Sequence, residues 1–540
     1  MVKWIRCIPH PGIFSAVFMQ ASLAFAVPIP PEGEILRSLP QVPDLTRSSP
    51  ELRFEAESLD DLEAGGDVVT LKGFVFEGNS VFSDDDLIKI LGDVFGIEYD
   101  LAGLRQLANQ LSEFYREAGY SFAKVYLPKQ DVSSGIIELI VLEGTYGRIQ
   151  AVGEPELRAL VESYLSELTP GSVIDGHQLE SIVLTLGDVP GIRVAPVLKP
   201  GRQVGQGDLD VQVRRDEQSH GYLTLDNQGS RFSGENRMSA GITIPTFFGV
   251  GHEFDFNVTR SNEDLKVVGV GYGWPIGDGG GRFKMDYSYV SYALTNSNDL
   301  EGIKGWSKIY RGNFVHPLIR SQTGNLWLEY GAQLRKAFAI NGTQTSGDGN
   351  FRTFPLRLRF DSLDVFAGGG SWRGSLVYTK GDIDDYQNDV YESWDKLAVD
   401  LTRIQSVGNH VSLMWRLAGQ GGEKPIRDSS EQMSLGGVQG VRAYPSGEGS
   451  FTRAYVTQLE MRFTRDGYAP YIFVDHANGF RHGSDEATSR EIGGYGLGIR
   501  TSVESWSIDG FWSRKRNSQV SSADPEHGNL IFQVSIQKQF

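Results

Sequence analysis

Two periodicities divide the chain. Between Val68 and Asp216, stretches with helical spacing of apolar residues alternate with short strand-like runs; from Gly221 to Phe540 short runs of alternating apolar and polar residues recur, separated by Gly, Asn, Asp and Ser clusters. A period near 3.6 aims one stripe of a helix at a core, and a period of 2 aims one face of a strand there. In the first region the order β-α-α-β-β occurs twice. The first copy (68–145) opens with a strand over Val69–Phe76, closed by Glu77-Gly78-Asn79. Ser83 with Asp86 marks a helix start. Leu101, Leu104, Leu107, Leu111 and Phe114 then form the stripe of a second helix, ended by Gly119, and strands over Ser121–Leu127 and Ile136–Leu142 follow. The second copy (146–216) repeats the order with Gly147–Val152, helices over Glu154–Leu165 and Gly176–Leu186, and strands over Ile192–Leu198 and Asp208–Arg214. Copies of about 75 residues are small for a lone core, so the two are expected to pack end to end.

From residue 217 to 540 helical spacing is absent. Alternation is clearest at Glu253–Val258, Phe283–Tyr289 and Tyr455–Phe463. The pattern yields sixteen strands of about 10 residues each, an all-β antiparallel barrel with an apolar outside and a polar lumen. The connectors alternate in length. Asn227–Glu235, Thr295–Gly305, Ile340–Asn350, Gly381–Ser393, Gly421–Ser450, Asn478–Arg490 and Ser513–Asn529 are long; Phe247–Gly251, Gly277–Gly281, Ser406–Asn409 and Thr464–Gly467 are short. A soluble sandwich has no reason to sort its loops this way, whereas a transmembrane barrel puts long loops outside and short turns inside. Tyr287, Tyr289, Tyr310, Trp372 and Tyr378 suit the membrane interfaces. The last strand places Phe532, Val534, Ile536 and Phe540 on one face.

Composition then narrows the class. Nowhere after the N-terminus is there an apolar run long enough for a membrane helix. Residues 1–26 have the form of a secretory signal peptide, with Lys3 and Arg6, an apolar stretch Ile13–Phe25 and the cleavage pattern Ala24-Phe25-Ala26. Val27 to Asp67 is Pro-rich and reads as a linker with at most one short helix around Glu32–Leu39. The one cysteine, Cys7, lies in the signal peptide, so the mature chain has no disulfide and no thiolate chemistry. A formal net charge of -17 argues against a nucleic-acid partner. The nine histidines are scattered without ligand spacing, and no nucleophile elbow or triad stands out. No cofactor, metal site or enzymatic activity is expected.

One loop and one strand carry the candidate chemistry. The longest loop contains Gly436-Gly437-Val438-Gln439-Gly440-Val441-Arg442-Ala443-Tyr444-Pro445. In the strand Tyr471–Asp475, Ile472 and Val474 suit lipid, so Phe473 and Asp475 point into the lumen. A loop rich in glycine can fold inward and let Arg442 pair bidentately with Asp475.

Here the chain resembles a family. The repeated modules resemble polypeptide-transport-associated (POTRA) domains. Val441-Arg442-Ala443-Tyr444 and Phe473-x-Asp475 resemble the signature motifs of the outer-membrane assembly and secretion superfamily, with Ala443 where the commonest motif has Gly. Two modules, sixteen strands and the opening Leu225-Asp226-Asn227-Gln228-Gly229-Ser230 resemble its two-partner secretion branch, the TpsB or hemolysin-activator-type transporters. The C-terminal Phe540 resembles the sorting signal of outer-membrane proteins.

The resemblance implies a monomeric outer-membrane pore, inserted by the barrel assembly machinery. Its periplasmic modules would capture an unfolded TpsA-like partner for export. Strand addition to an edge is the natural capture mode. The candidate edges are Phe122, Lys124 and Tyr126 beside helix Leu101–Ala118, and Arg193 and Ala195 beside helix Gly176–Leu186. The alternatives are a factor that inserts other barrels, which shares the motifs but carries more modules, and a passive porin, which needs no modules.

Overall fold

The computed structural model describes Leu36 and residues 68–540 apart from 217, 295–301, 343, 388, 483–486, 518–519 and 525–527. The expected signal peptide, and the linker other than Leu36, lie outside the described residues.

The first module runs β1 (Val69–Thr70), β2 (Gly73–Glu77), α1 (Asp84–Leu91), β3 (Glu98–Tyr99), α2 (Leu101–Glu117), β4 (Lys124–Tyr126) and β5 (Ile136–Leu142). Ser83 accepts the Asp86 amide at the start of α1, and Asp100 accepts the Gly103 amide at the start of α2. The expected strand over Val69–Phe76 is broken in two. Its backbone changes partners at Leu71, whose N–H donates to Ile97, and Lys72, whose N–H donates to Gly135. β1 therefore pairs with β3, while β2 joins a three-stranded sheet in the order β2-β5-β4. Leu71, Leu87, Leu111, Ile137 and Leu139 fill the core beneath the helices. Glu143 closes one end, accepting the Ser80 and Val81 amides at 2.7 and 2.8 Å and the Tyr115 hydroxyl at 2.9 Å. Burial pushes the Tyr115 phenol up, and the Glu143 carboxylate adds to this.

The second module runs β6 (Thr145–Val152), α3 (Pro155–Leu165), α4 (Gly176–Gly187), β7 (Ile192–Pro200) and β8 (Gln206–Arg215), with its sheet in the order β6-β8-β7. The modules join directly. The Gly176 N–H donates to Gly119 O at 3.0 Å, and Phe122 packs onto the core of the second module.

Strands β9 (His220–Asp226) to β24 (Leu530–Gln539) form one closed antiparallel barrel of sixteen strands, each paired with its chain neighbours. Alternation leaves Leu356, Tyr310, Tyr378, Ile472 and Val474 exposed on the outer face, where lipid covers them. The strands β14 (Ile303–Arg320), β15 (Gly324–Asn341), β16 (Gln344–Asp364), β17 (Gly370–Asp385) and β18 (Val390–Ser406) run 16 to 21 residues, well beyond the 10 or so that hydrocarbon requires. Most of the expected loops Ile340–Asn350 and Gly381–Ser393 is therefore strand. Ladder hydrogen bonds continue above the membrane, where the outer face no longer meets lipid, while inward residues such as Ile383 and Trp394 stay buried.

The lumen is partly filled at its outer end. Val267, Val290, Tyr292 and Ile303 point inward there and cluster with Phe232, Leu265 and Leu294 from the loops. Leu36, in helical conformation, packs against this cluster. At this residue the segment expected to be a linker lies within the barrel. A leucine so placed finds apolar partners that the sequence scatters over more than 70 positions.

The barrel closes where β24 meets β9, and the seam is short, from Ser535↔Asp226 to Gln539↔Tyr222. Two residues lengthen it. Phe540 exchanges backbone hydrogen bonds with Gly221. Asn227 accepts the Val534 N–H at 2.7 Å and donates to Phe532 O at 3.1 Å, so its amide imitates one more ladder residue. A closed barrel resists detergent until heated, so the folded protein is expected to migrate differently on electrophoresis before and after boiling. Asn227→Ala is expected to lower the temperature of that conversion, since two hydrogen bonds at about 1 kcal/mol each are lost. An unchanged conversion temperature would remove Asn227 from the seam.

Candidate functional site

The loop of residues 422–452 folds into the lumen and presents Arg442 to the inner wall built by β20 (Arg453–Phe463), β21 (Tyr468–His482), β22 (Ala487–Val503) and β23 (Trp506–Lys515). Its path is tight. Val441 N–H donates to Leu435 O at 2.7 Å, and a Cβ at Gly440 would fall 2.2 Å from that same carbonyl oxygen. Gly437, at φ 86°, makes the turn that brings the chain back.

Arg442 grips Asp475 three ways. Its backbone N–H and Nε donate to Oδ2 at 3.0 and 2.9 Å, and Nη2 donates to Oδ1 at 2.8 Å. Nη1 donates to Glu460 Oε2 at 2.8 Å, and the guanidinium lies 3.6 Å over the Phe473 ring. Both carboxylates are fully shielded from solvent. Glu460 also takes Arg462 and Arg500, and Arg500 continues to Asp509 and over the Tyr471 ring. The result is an arginine–carboxylate network in which the loop's own cation is one member. It can hold a segment inside a pore. Among the described residues no cluster of three His, Cys, Asp or Glu could hold a metal ion.

The rest of the expected motif surrounds this pair. Val441, Ala443 and Tyr444 are fully buried with Leu435, Val456, Ala477 and Ile492. The methyl of Ala443 fits because the wall opposite it is Gly494, where a Cβ would come within 2.4 Å of Ala443 Cβ. The close approach that a glycine at 443 would allow is supplied from the other side.

Glu448 was not singled out in the sequence, because a lone glutamate in a loop carries no pattern. It is fully buried and accepts the Ser522 N–H at 3.0 Å and the Ser521 hydroxyl at 2.5 Å, together with Arg490 of β22. Asp524 in the same stretch pairs with Arg231 of the first outer loop, and the Ser446 hydroxyl donates to Gln228 O at 3.0 Å. Three loops are thereby tied together across the outer opening.

The two expected docking edges differ. In β4 the Val125 N–H donates to the buried Ser112 hydroxyl at 2.8 Å, and the Val125 carbonyl accepts from that hydroxyl at 3.3 Å. The outward backbone groups of Val125 are thus taken by α2, and Phe122 is spent on module packing. Lys124 and Tyr126 stay exposed at the sheet edge. β7 is more open. Asp216 N–H donates to Gly191 O and Gly201 N–H to Gln206 O, so alternation turns the backbone of Val194, Pro196 and Leu198 away from β8. Arg193, paired with Asp216, and Ala195 are exposed along this edge. Pro196 removes one donor from it.

Removing one partner of a buried pair strands the other, at a cost of about 3–5 kcal/mol. Arg442→Ala leaves Asp475 without a cation, whereas Asp475→Ala leaves Arg442 on Glu460. Arg442→Ala is therefore expected to release the loop more completely, and the double variant to be little worse than Arg442→Ala alone; the readout is protease cleavage of the loop in intact cells. Defects that add would mean independent roles. Gly494→Ala is expected to release the loop as well, and Ala443→Gly in that background to restore it. Failure of the second change to rescue would discount the steric account.

The chain has relatives of the same architecture. Residues 69–144 match the POTRA domain, ShlB-type, and residues 205–501 match the family described as haemolysin secretion/activation protein ShlB/FhaC/HecB. The heme/hemopexin transporter protein HuxB of Haemophilus influenzae is 26% identical over 475 residues, covering 83% of this chain and 80% of its own. The outer membrane transporter CdiB of Dickeya dadantii is 21% identical over 470 residues, covering 80% of each chain. The solved structure of CdiB from Escherichia coli superposes with a TM-score of 0.69 at 17% identity, over 92% of this chain and 94% of that one. CdiB from Acinetobacter baumannii superposes at 0.67 with 16% identity, over 92% and 95%. The chain belongs to the ShlB/FhaC/HecB family of haemolysin secretion/activation proteins.

Proposed function

We propose that this protein captures an unfolded partner on its periplasmic modules and passes it through the barrel lumen to the cell surface. As a member of its family it is an outer-membrane transporter of the two-partner secretion type. Its barrel sits in the outer membrane and its POTRA modules in the periplasm. The partner is a secreted TpsA-like protein. The observation that carries the reading is the joint between modules and barrel. Arg320 at the inner end of β14 donates from Nε and Nη2 to both oxygens of Asp188 just after α4, each at 2.9 Å, and the Gln322 N–H donates to Glu180 at 2.9 Å. A receptor clamped at the mouth of a pore delivers what it binds to that pore, whereas a passive porin has no use for one.

Capture by strand addition favours β7 over β4, since the outward backbone of Val125 is already bonded to Ser112. The loop carrying Arg442 then acts as a movable part of the lumen, held by a network whose other members stay in the wall. The reading involves no catalytic step or cofactor; folding of the partner outside supplies the drive. The chain acts as a monomer, and the barrel assembly machinery inserts it from the seam strand ending at Phe540.

Leu198→Pro removes an outward donor from β7 without touching its ladder to β8. It is expected to weaken binding of the secreted partner to the full-length protein by about tenfold, the equivalent of one docking hydrogen bond at about 1.4 kcal/mol. Val125→Pro is expected instead to unfold the first module, seen by limited proteolysis, because Ser112 loses its partner. Unchanged partner affinity in a folded Leu198→Pro protein would rule out β7 as the docking edge.

A further inference from the structure

The barrel interior carries a cationic patch that neither the loop network nor the seam uses. On β16, Leu356 and Leu358 face lipid, which turns Arg357 and Arg359 into the lumen. On β17, Leu376 and Tyr378 face lipid, and Arg373 points inward, opposite Asp361 in the register. These arginines lie toward the periplasmic end, because β16 ends at Asp364 and β17 begins at Gly370 around an inner turn. Charge is unevenly matched here. Glu329 alone serves both Arg357 and Arg359, at 3.4 and 2.9 Å. Asp361 accepts the Asn325 amide at 2.8 Å, and Arg373 has no ion pair among the described residues. Although they point inward, the side chains of Arg357 and Arg359 are 46% and 39% exposed, so this part of the lumen holds water.

The patch is continuous with the module joint. Arg359 stacks over the Trp327 ring at 4.1 Å, and Arg320, the residue clamped to Asp188, lies over the same ring at 5.5 Å. One tryptophan therefore connects the point where α4 docks to the inner wall directly above it. The guanidinium groups of Arg357 and Arg359 thus line the wall beside this joint. In a protein of net charge -17, three arginines against Glu329 and Asp361 leave one positive charge in excess on this stretch of wall, a local reversal of sign. Guanidinium is weakly hydrated and forks onto carboxylates and backbone carbonyls alike, so it grips an extended chain without demanding one sequence.

We propose that Arg357, Arg359 and Arg373 form a receiving site for acidic segments of an unfolded polypeptide as it enters the lumen from the POTRA modules. This rests on the reading that an unfolded chain crosses this lumen. The test uses the full-length protein in detergent and two fluorescent unfolded peptides, one of Glu-Gly-Ser repeats and one of Lys-Gly-Ser repeats. The intact protein is expected to bind the acidic peptide about tenfold more tightly than the basic one at low salt, and to lose the difference as salt rises. Arg357→Gln/Arg359→Gln/Arg373→Gln is expected to abolish the preference, and Lys308→Gln on the outer face to leave it intact. Arg373→Glu, which breaks no ion pair, is expected to weaken acidic binding even if the triple variant does not fold. Retention of the preference in the triple variant or in Arg373→Glu, or no preference in the intact protein, would overturn the proposal. Peptide binding is read without export, so that result leaves secretion of the partner by the intact protein to be judged separately.

Discussion

A guanidinium out of water needs carboxylates around it, and most of this barrel's inner order follows from meeting that need for Arg442. Asp475 takes two sides of the group, Glu460 a third, and the Phe473 ring its face. Burial of opposite charges returns little net stability, but breaking the set is costly, so the arrangement specifies a position more than it adds strength. Glu460 has two further arginines. The wall therefore remains neutralised when the loop departs, and Asp475 is the group left exposed to the loss. That asymmetry leaves the wall's charge balanced through Arg462 and Arg500 independently of the loop.

The same loop is held at a second point by different chemistry. Glu448 gathers one arginine, two serine hydroxyls and backbone N–H groups from another loop, while Arg231 and Asp524 join that loop to a third. The inner anchor fixes the loop to the barrel and the outer one fixes the loops to each other. Leu36, lodged against the apolar patch at the outer end of the lumen, occupies part of the remaining space. A passage wide enough for a polypeptide would require these contacts to give way together with the apolar packing of Val441, Ala443 and Tyr444 against the wall.

On the periplasmic side the modules contribute position as much as binding. Phe122 locks the first module to the second, and Arg320 locks the second to the barrel. These contacts hold the open edge of β7 at a fixed place relative to the barrel mouth. The difference between the two edges arises from one hydroxyl: Ser112 satisfies β4 from within.

The alternation of side chains determined the barrel, its sixteen strands and the inward direction of Asp475, because lipid and water impose opposite demands on successive residues of each strand. Helical spacing, with Ser83 as a cap, likewise marked the modules and their helices. The motif residues Val441, Arg442 and Tyr444 were legible through resemblance, and the pairing of Arg442 with Asp475 through geometry. Tertiary structure alone decided the rest. The hairpins of β14 to β18 outrun the alternation because above the membrane no lipid demands an apolar outer face, while Ile383 and Trp394 are buried inside by the folded loop. Glu460, Glu448 and Ser112 matter through partners 18, 42 to 75 and 13 residues away, and no local pattern encodes such distances. Whether Ala443 fits depends on a glycine in the facing wall, and whether Leu36 has a place depends on a cluster assembled only when the barrel closes. Periodicity records what each residue asks of its solvent; which residues meet is settled by the closed ring of strands.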